Sequence, residues 1–391
     1  MKNGYFLFLM TMALLTGCAQ FAGRSRYTEE DVKRANIGQS KAFNVDTSSL
    51  LRIDLNEALE GDLINETDVL DTMLFIPLET TPESIIAYPS KIMMTDDRIF
   101  VLDSEHNIVI FDNNGRYISS LKKGQGPGEI NKLMSVSYNY LEQQLMVIQN
   151  KWIMYYDKDG NPIDKGIKCA FTCKEFAAIP SGFIFFHFVS CNRHLGPQAE
   201  KALFLTNSDM NILNTGIDVL SQNNVICCID NITRYNGSYF ISQFYNDTIF
   251  CVSENGGPAL KAKYLLDYSS CKAPDSESED RVGKFYNNGS VLENATSQIF
   301  FFTCIRKGIF VVVRDKGTGH TMGGYKFDCD GFPEYLASAK TQHGEYFVSV
   351  LQPFKGMECS SPAVSPESNA KLKGLTEEDN PVLVLYKLKQ F

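Results

Sequence analysis

From about Leu51 to Phe391, apolar runs of four to eight residues alternate with polar turns built from Asn, Asp and Gly. The runs are rich in Ile, Val, Phe and Tyr, side chains that suit a pleated, half-buried surface. No long stretch keeps a 3.6-residue period, so the pattern predicts an all-β chain. The runs also repeat. Ile108–Phe111 leads into Asp112-Asn113-Asn114-Gly115 and then Tyr117-Ile118, and Trp152–Tyr156 leads into Asp157-Lys158-Asp159-Gly160 and then Pro162-Ile163. Leu203–Leu205, Thr248–Val252 and Ile309–Val313 are followed by similar polar turns, and Val382–Tyr386 is the last such run. The turn residues supply the positive φ that a tight hairpin needs.

The turns recur at about 45 to 60 residues, a period that suits a four-stranded propeller blade. Six units fit between Ile92 and Phe391, which predicts a six-bladed β-propeller with four-stranded blades. A β-sandwich would explain the alternation but not the period. The polar insertion Ser269–Ser290 reads as a blade loop. The segment Leu51–Pro77 precedes the first unit. It is expected to lend a strand through Leu74-Phe75-Ile76 to the last blade, pairing with Val382–Tyr386 and removing an exposed edge.

The first residues follow a different pattern. Lys2 precedes an apolar run, Tyr5–Leu15, that is too short to cross a bilayer and fits the h-region of a signal peptide. It ends in Leu15-Thr16-Gly17-Cys18, which resembles the lipobox of bacterial lipoproteins. The expectation is a signal peptide over 1–17, a lipidated tether over 18–45 and the propeller domain over 46–391. Cys18 would carry the lipid, and acyl chains contribute about 0.8 kcal/mol per buried CH₂. Within the tether, Thr28 is placed to cap a short helix running to Ala35. The compartment implied is the cell envelope, with the outer membrane favoured.

A formal net charge of −9 argues against a nucleic-acid partner. Ten cysteines follow Cys18, and those in apolar runs read as small core residues. At most one or two disulfides are expected, and the sequence leaves their pairing open.

Several pieces carry a family likeness. They are Asp96-Asp97-Arg98-Ile99-Phe100-Val101, Phe111–Gly115, Gly124-Gln125-Gly126-Pro127-Gly128-Glu129, Tyr245-Asn246-Asp247-Thr248-Ile249-Phe250 and Glu378–Tyr386. With these the chain resembles the six-bladed β-propeller lipoproteins of Gram-negative gut bacteria, relatives of NHL-repeat propellers. The resemblance implies fold and compartment more than activity.

The motifs that could carry chemistry are few. Gly124, Gln125, Gly126, Pro127, Gly128 and Glu129 form a Gly-rich loop without the Gly-Lys-Ser/Thr ending of a phosphate loop. It reads as a turn between blades, with Glu129 a candidate ligand-facing side chain. Gly317-Thr318-Gly319 and Gly323-Gly324 lack the spacing of a dinucleotide site. Asp157–Asn161 resembles a calcium loop, but its glycine comes early and Lys168 stands at the twelfth position. His187, Cys191 and His194, with Cys169 and Cys173 upstream, are zinc-ligand types at spacings that match no common motif, and His187 reads as a core histidine. Vicinal Cys227-Cys228 would point to opposite faces of a strand. Asp71-Thr72-Met73 and Asp247-Thr248-Ile249 resemble an O-glycosylation tripeptide, although Thr248 reads as buried. Neither a metal nor a cofactor is expected. The leading function is an envelope-anchored binding module for a small molecule, glycan or protein. The alternative is a metal-assisted lyase or hydrolase at the channel mouth, limited by a supply of five histidines.

Overall fold

The computed structural model describes residues 27–187, 192–218, 230–253, 259–274, 281–328 and 339–391. Its strands form six antiparallel four-stranded sheets in chain order, the six-bladed β-propeller that the repeat predicts. Blade 1 runs from Pro89–Met94 to Tyr117–Ser120, blade 2 from Leu133–Asn139 to Pro162–Lys168, and blade 3 from Glu175–Ile179 to Ile212–Asp218. Blade 4 runs from Ile232–Tyr235 to Leu260–Asp267 and blade 5 from Phe285–Glu293 to Thr321–Gly324. Blade 6 takes Thr341–His343, Tyr346–Leu351 and Val382–Leu388, and its fourth strand is Leu70–Pro77.

The chain divides into two compact units. The first contains residues up to Asn44, 132–155 and 163–228, and so holds blades 2 and 3. The second contains 45–131, 156–162 and 229–391, and so holds blades 1, 4, 5 and 6 with the tip of the blade 2 hairpin.

The repeated turns follow one rule. In blade 1 the Asp112 carboxylate accepts the backbone N–H of Asn114 at 2.8 Å and of Arg116 at 2.9 Å, and Gly115 takes φ 83°. In blade 2 Asp157 accepts from Asp159 and Asn161, both at 2.9 Å, and Gly160 takes φ 82°. Blade 3 places Asn207 in the same role, with Met210 at φ 66° in the position that glycine fills elsewhere. A side-chain acceptor closes the turn and the left-handed residue returns the chain into the outer strand.

In the second unit, Leu70–Pro77 pairs antiparallel with Val382–Leu388, with Leu74 opposite Leu385, Phe75 opposite Val384 and Ile76 opposite Leu383. The last blade is therefore completed by a strand from before the first, as expected. Phe75, Met73 and Leu70 are buried in a core cluster with Phe347, Val384 and Tyr386.

Residues 27–45 depart from the expected tether. The predicted helix is present as Glu29–Ala35, with Thr28 and Asp31 forming a reciprocal capping box and Asn36 closing the end in the left-handed region. In the first unit Ala35 and Ile37 enter the core cluster of blades 2 and 3, and Lys41–Ala42 adds a short parallel strand to Ile212–Asp218. In the second unit Val45–Asp46 and Leu51–Asp54 pair with the outer strand of blade 4, and Leu63–Asn65 pairs with Lys326–Asp328. Outer-edge groups that would otherwise face water gain backbone partners. Most of this stretch is polar and exposed, so its apolar pattern carried no strand signal.

Candidate functional site

The residues singled out in the sequence are mostly occupied in holding blades together. In the Gly-rich loop the Glu129 carboxylate turns inward and accepts the Gly126 N–H at 2.8 Å. A Cβ on Gly124 would lie 1.9 Å from that carboxylate, and one on Gly128, at φ 75°, would lie 2.5 Å from the Pro162 ring. The loop thus fits against the blade 2 hairpin tip. At the same tip Asp159 receives two Arg98 bonds, at 2.8 and 2.7 Å, and Lys158 pairs with Asp97. Of the side chains that made Asp157–Asn161 resemble a calcium loop, Asp159 joins the hairpin of blade 2 to blade 1, while Asp157 closes the turn and accepts from the Asn161 side chain at 2.9 Å.

The zinc-ligand types are dispersed among other partners. His187 is buried, with Nδ1 at 3.1 Å from the Asn192 amide and its ring 4.0 Å from that of Phe204. His194 approaches the Ala170 carbonyl through Nε2 at 2.8 Å and stacks on Tyr27. Cys169 and Cys173 are buried in the same core, and burial pushes the Cys173 thiol up. Cys251 and Cys304 are free thiols buried in another core cluster, with Cys271 packed against it. Cys18, Cys191, Cys227, Cys228 and Cys329 lie outside the described residues. Among the described residues, no group of three or more His, Cys, Asp or Glu side chains is placed to hold a metal ion. Gly323 has a steric task, since a Cβ there would lie 2.2 Å from the Ala58 carbonyl oxygen. Thr72 lies on the strand Leu70–Pro77 with its hydroxyl on Asp71, and Thr248 opens a strand half-buried rather than buried.

One corner of the second unit does gather chemistry. The turn before Thr248–Ser253 carries Phe244, Tyr245, Asn246 and Asp247, the connection into blade 5 carries Tyr268, Lys272 and Arg281, and the first strand of blade 5 carries Tyr286 and Asn287. The Tyr245 ring stands 4.6 Å from that of Tyr286 and 4.4 Å from that of Phe244, and the Arg281 guanidinium lies 5.9 Å from its centroid. Phe244 is buried, whereas Tyr245, Tyr286 and Arg281 are half-buried.

Polar bonds fix this corner from behind. The Tyr245 N–H donates to the Asn287 carbonyl at 3.0 Å, and the Asn287 side-chain amide donates to the Asn246 carbonyl at 2.7 Å. The Asn246 side chain caps Thr248 N–H at 3.0 Å. Asp247 accepts from the Tyr268 hydroxyl and pairs with Lys272. Burial, and then the Asp247 charge, push the Tyr268 phenol far up, so it stays a donor.

Behind Asn287 the strand bulges. Asn287 pairs with Phe302 and Val291 with Phe300, which leaves Asn288, Gly289 and Ser290 opposite Phe301 alone. Gly289 takes φ 73°, and a Cβ there would lie 2.4 Å from the Phe244 nitrogen. Tyr245 itself sits at φ 65°, a region costing a bulky L-residue about 1–2 kcal/mol. Sequence reasoning picks out Tyr245-Asn246-Asp247 as part of a resemblance, and Asp247 also in a glycosylation-type tripeptide, and passes over Arg281 and Tyr286 inside the insertion. The one available signal was Asn287-Asn288-Gly289, a turn triplet interrupting an apolar run.

A second polar group lies at the other end of the same blade 5 strand. Buried Glu293 accepts from the Tyr264 hydroxyl at 3.0 and 2.8 Å, from Gln298 at 3.0 Å and from Lys316 at 2.7 Å. Every partner belongs to blade 4 or blade 5, and the carboxylate's acceptor sites are filled from within the fold, as a structural brace requires.

The fold and this corner define an all-β propeller with an aromatic, cation-flanked surface in its loops. The chain belongs to the family described as "Domain of unknown function (DUF4934)", whose model matches residues 50–387. Among solved structures it is similar to a Bacteroides fragilis protein described as a "Putative exported protein". That likeness covers 87% of this chain and 100% of that one, at 14% identity and a TM-score of 0.66. It also matches the β-propeller domain of Cps50 (Swd1) from Myceliophteria thermophila, at 9% identity and a TM-score of 0.41, over 81% of this chain and 100% of that one. Among curated proteins none matches the chain.

Proposed function

We propose that this chain is an exported lipoprotein, held in the cell envelope through Cys18, whose propeller binds a ligand at the Tyr245 corner of blades 4 and 5. The observation that carries the binding reading is Tyr245 itself. Glycine or asparagine would adopt φ 65° with little strain, whereas tyrosine holds it at a cost while its ring remains half-exposed. Tyr offers large contact area for two frozen torsions, and Arg adds a planar cation that stacks on aromatic rings; both are enriched at binding hot spots. The export reading is supported by the lipobox-like Leu15–Cys18 and by similarity to a protein described as exported.

Two measurements test these parts separately. Cys18→Ala is expected to leave unlipidated precursor and to move any processed protein out of the detergent phase on Triton X-114 partitioning. Processed Cys18→Ala protein that still partitions with detergent overturns the anchor. For the corner, wild-type protein is applied to an array of oligosaccharides and random heptapeptides. Binding should fall at least tenfold in Tyr245→Gly and in Tyr286→Ala. Circular dichroism should stay unchanged, because glycine accepts the Tyr245 backbone. Array binding that neither variant weakens, or an array that wild-type protein leaves blank, overturns the site.

A further inference from the structure

We propose that residues 27–46 form a releasable strap that sets how far the propeller stands from the membrane; this rests on the lipid-anchor reading of Cys18. The strap is a mosaic of short elements. Its helix, Glu29–Ala35, has seven residues, too few to persist in water without docking. Tyr27, Ala35 and Ile37 supply the buried apolar contacts, and the chief polar hold is Asp31. This carboxylate is 1% exposed. It lies 2.7 Å from the Lys168 ammonium and 3.1 Å from that of Lys151, and it accepts the Thr28 N–H at 2.9 Å. Tyr27 stacks on His194 at 4.4 Å, beneath the Lys151 ammonium at 4.9 Å.

Beyond the helix the hold is weak. Lys41–Ala42 and Val45–Asp46 are strands of two residues each, and from Lys41 to Leu50 the side chains are exposed or half-exposed. The grip tightens only at Leu51–Asp54, where four residues pair, Arg52 meets Asp267 at 2.6 Å, and Ile53 and Leu55 are buried. Segments with few buried apolar contacts open locally at a small fraction of the global cost. The strap therefore has two positions, docked or free up to Leu51.

The two positions differ in reach. Nine peptide units separate Cys18 from Tyr27, about 30 Å when extended, and thirty-three separate it from Leu51, about 110 Å. Acid does not operate the latch at neutral pH. Burial alone would raise the Asp31 carboxyl, but Lys168, Thr28 and Lys151 outweigh it and hold the group far below the ordinary carboxylate range. Its contribution is present above the unfolded carboxylate value near ~4 and is lost only as pH falls through the lowered folded value. Besides Lys151 and Lys168, the other charged residues of the Asp31 helix are Glu29, Glu30, Lys33 and Arg34, with Glu30 and Arg34 paired at 3.9 Å.

The test uses full-length lipidated protein in phosphatidylethanolamine–phosphatidylglycerol vesicles. Peptides covering 29–46 should exchange amide hydrogen at least 100-fold faster than those covering 70–77 and 382–388. Asp31→Ala should speed 29–46 by a further tenfold and leave the blade peptides unchanged. Trp152, the one tryptophan in the chain, serves as a donor to dansyl headgroups, and its transfer should fall by half or more in Asp31→Ala. Equal protection of 29–46 and 70–77, loosening of every blade in Asp31→Ala, or unchanged transfer overturns the strap. If Cys18→Ala protein stays on the vesicles as processed chain, the anchor reading fails independently, and with it the assignment of reach.

Discussion

A chain that begins at Tyr88 is expected to aggregate, or to lose cooperative unfolding, when its heat denaturation is followed by calorimetry and light scattering. Such a chain lacks Leu70–Pro77, the fourth strand of blade 6. Val382–Leu388 then becomes an edge with unpaired backbone groups, a ready template for another molecule. Leu70, Met73 and Phe75 also leave the core cluster around Phe347 and Tyr386. Burial of such side chains contributes about 1.5–3 kcal/mol each. Their combined loss is comparable with the whole net stability of a typical domain, about 5–15 kcal/mol. Phe75 N–H additionally donates to the buried Ser368 hydroxyl at 2.9 Å, so the loss reaches the helix Pro366–Ala370. A soluble, monomeric Tyr88–Phe391 chain that melts as sharply as full-length protein would remove the closing-strand account.

That closure was legible because the last blade is short of a strand. Each earlier unit follows its third strand with a polar turn and another strand, whereas blade 6 takes its fourth strand from Leu70–Pro77. An apolar run before the first unit was the available partner, and Leu74-Phe75-Ile76 supplied it. The turns were legible for the same kind of reason. Asp112, Asp157 and Asn207 act through local bonds to N–H groups two and four residues on, so the chemistry lies within one stretch of sequence.

The strap was not legible, because what fixes it is distant. Asp31 reads as an ordinary acidic residue in the first turn of a helix. Its burial comes from Lys168 and from Lys151, which is 120 residues away. Two-residue strands with exposed side chains leave no alternation to detect. The Tyr245 corner went unread for a related reason. Tyrosine carries no preference for positive φ, so nothing in Tyr245-Asn246-Asp247 announces the turn that Asn287 imposes from the next blade. Conversely, the Gly-rich loop and Asp157–Asn161 attracted attention by composition. Their side chains instead meet at one junction, where packing against Pro162 and pairing with Asp97 and Arg98 need glycine and charge as much as a ligand site would.

Asn380→Ala is expected to destabilise the domain by about 3 kcal/mol, read as a lower midpoint in urea with an unchanged slope. Asn380 is 3% exposed and joins the segment before Val382–Leu388 to the connection between Leu70–Pro77 and blade 1. Its side-chain amide donates to the carbonyls of Glu79 and Ser84, both at 2.8 Å, and its oxygen accepts the Ile86 N–H at 2.9 Å. Alanine leaves those backbone groups buried without this partner, and each such group costs about 1–3 kcal/mol. Asn380→Asp separates loss of volume from loss of donors. The isosteric carboxylate still accepts from Ile86, but it faces two carbonyl oxygens with no hydrogen to offer. Its pKa in the folded state should therefore rise above the unfolded value near ~4. The deficit of Asn380→Asp should accordingly be largest at neutral pH and shrink as the acid protonates and regains one donor. If instead Asn380→Asp matches wild type at pH 7, or if its deficit does not change between pH 7 and pH 4, the amide is not what seals the ends of the propeller together.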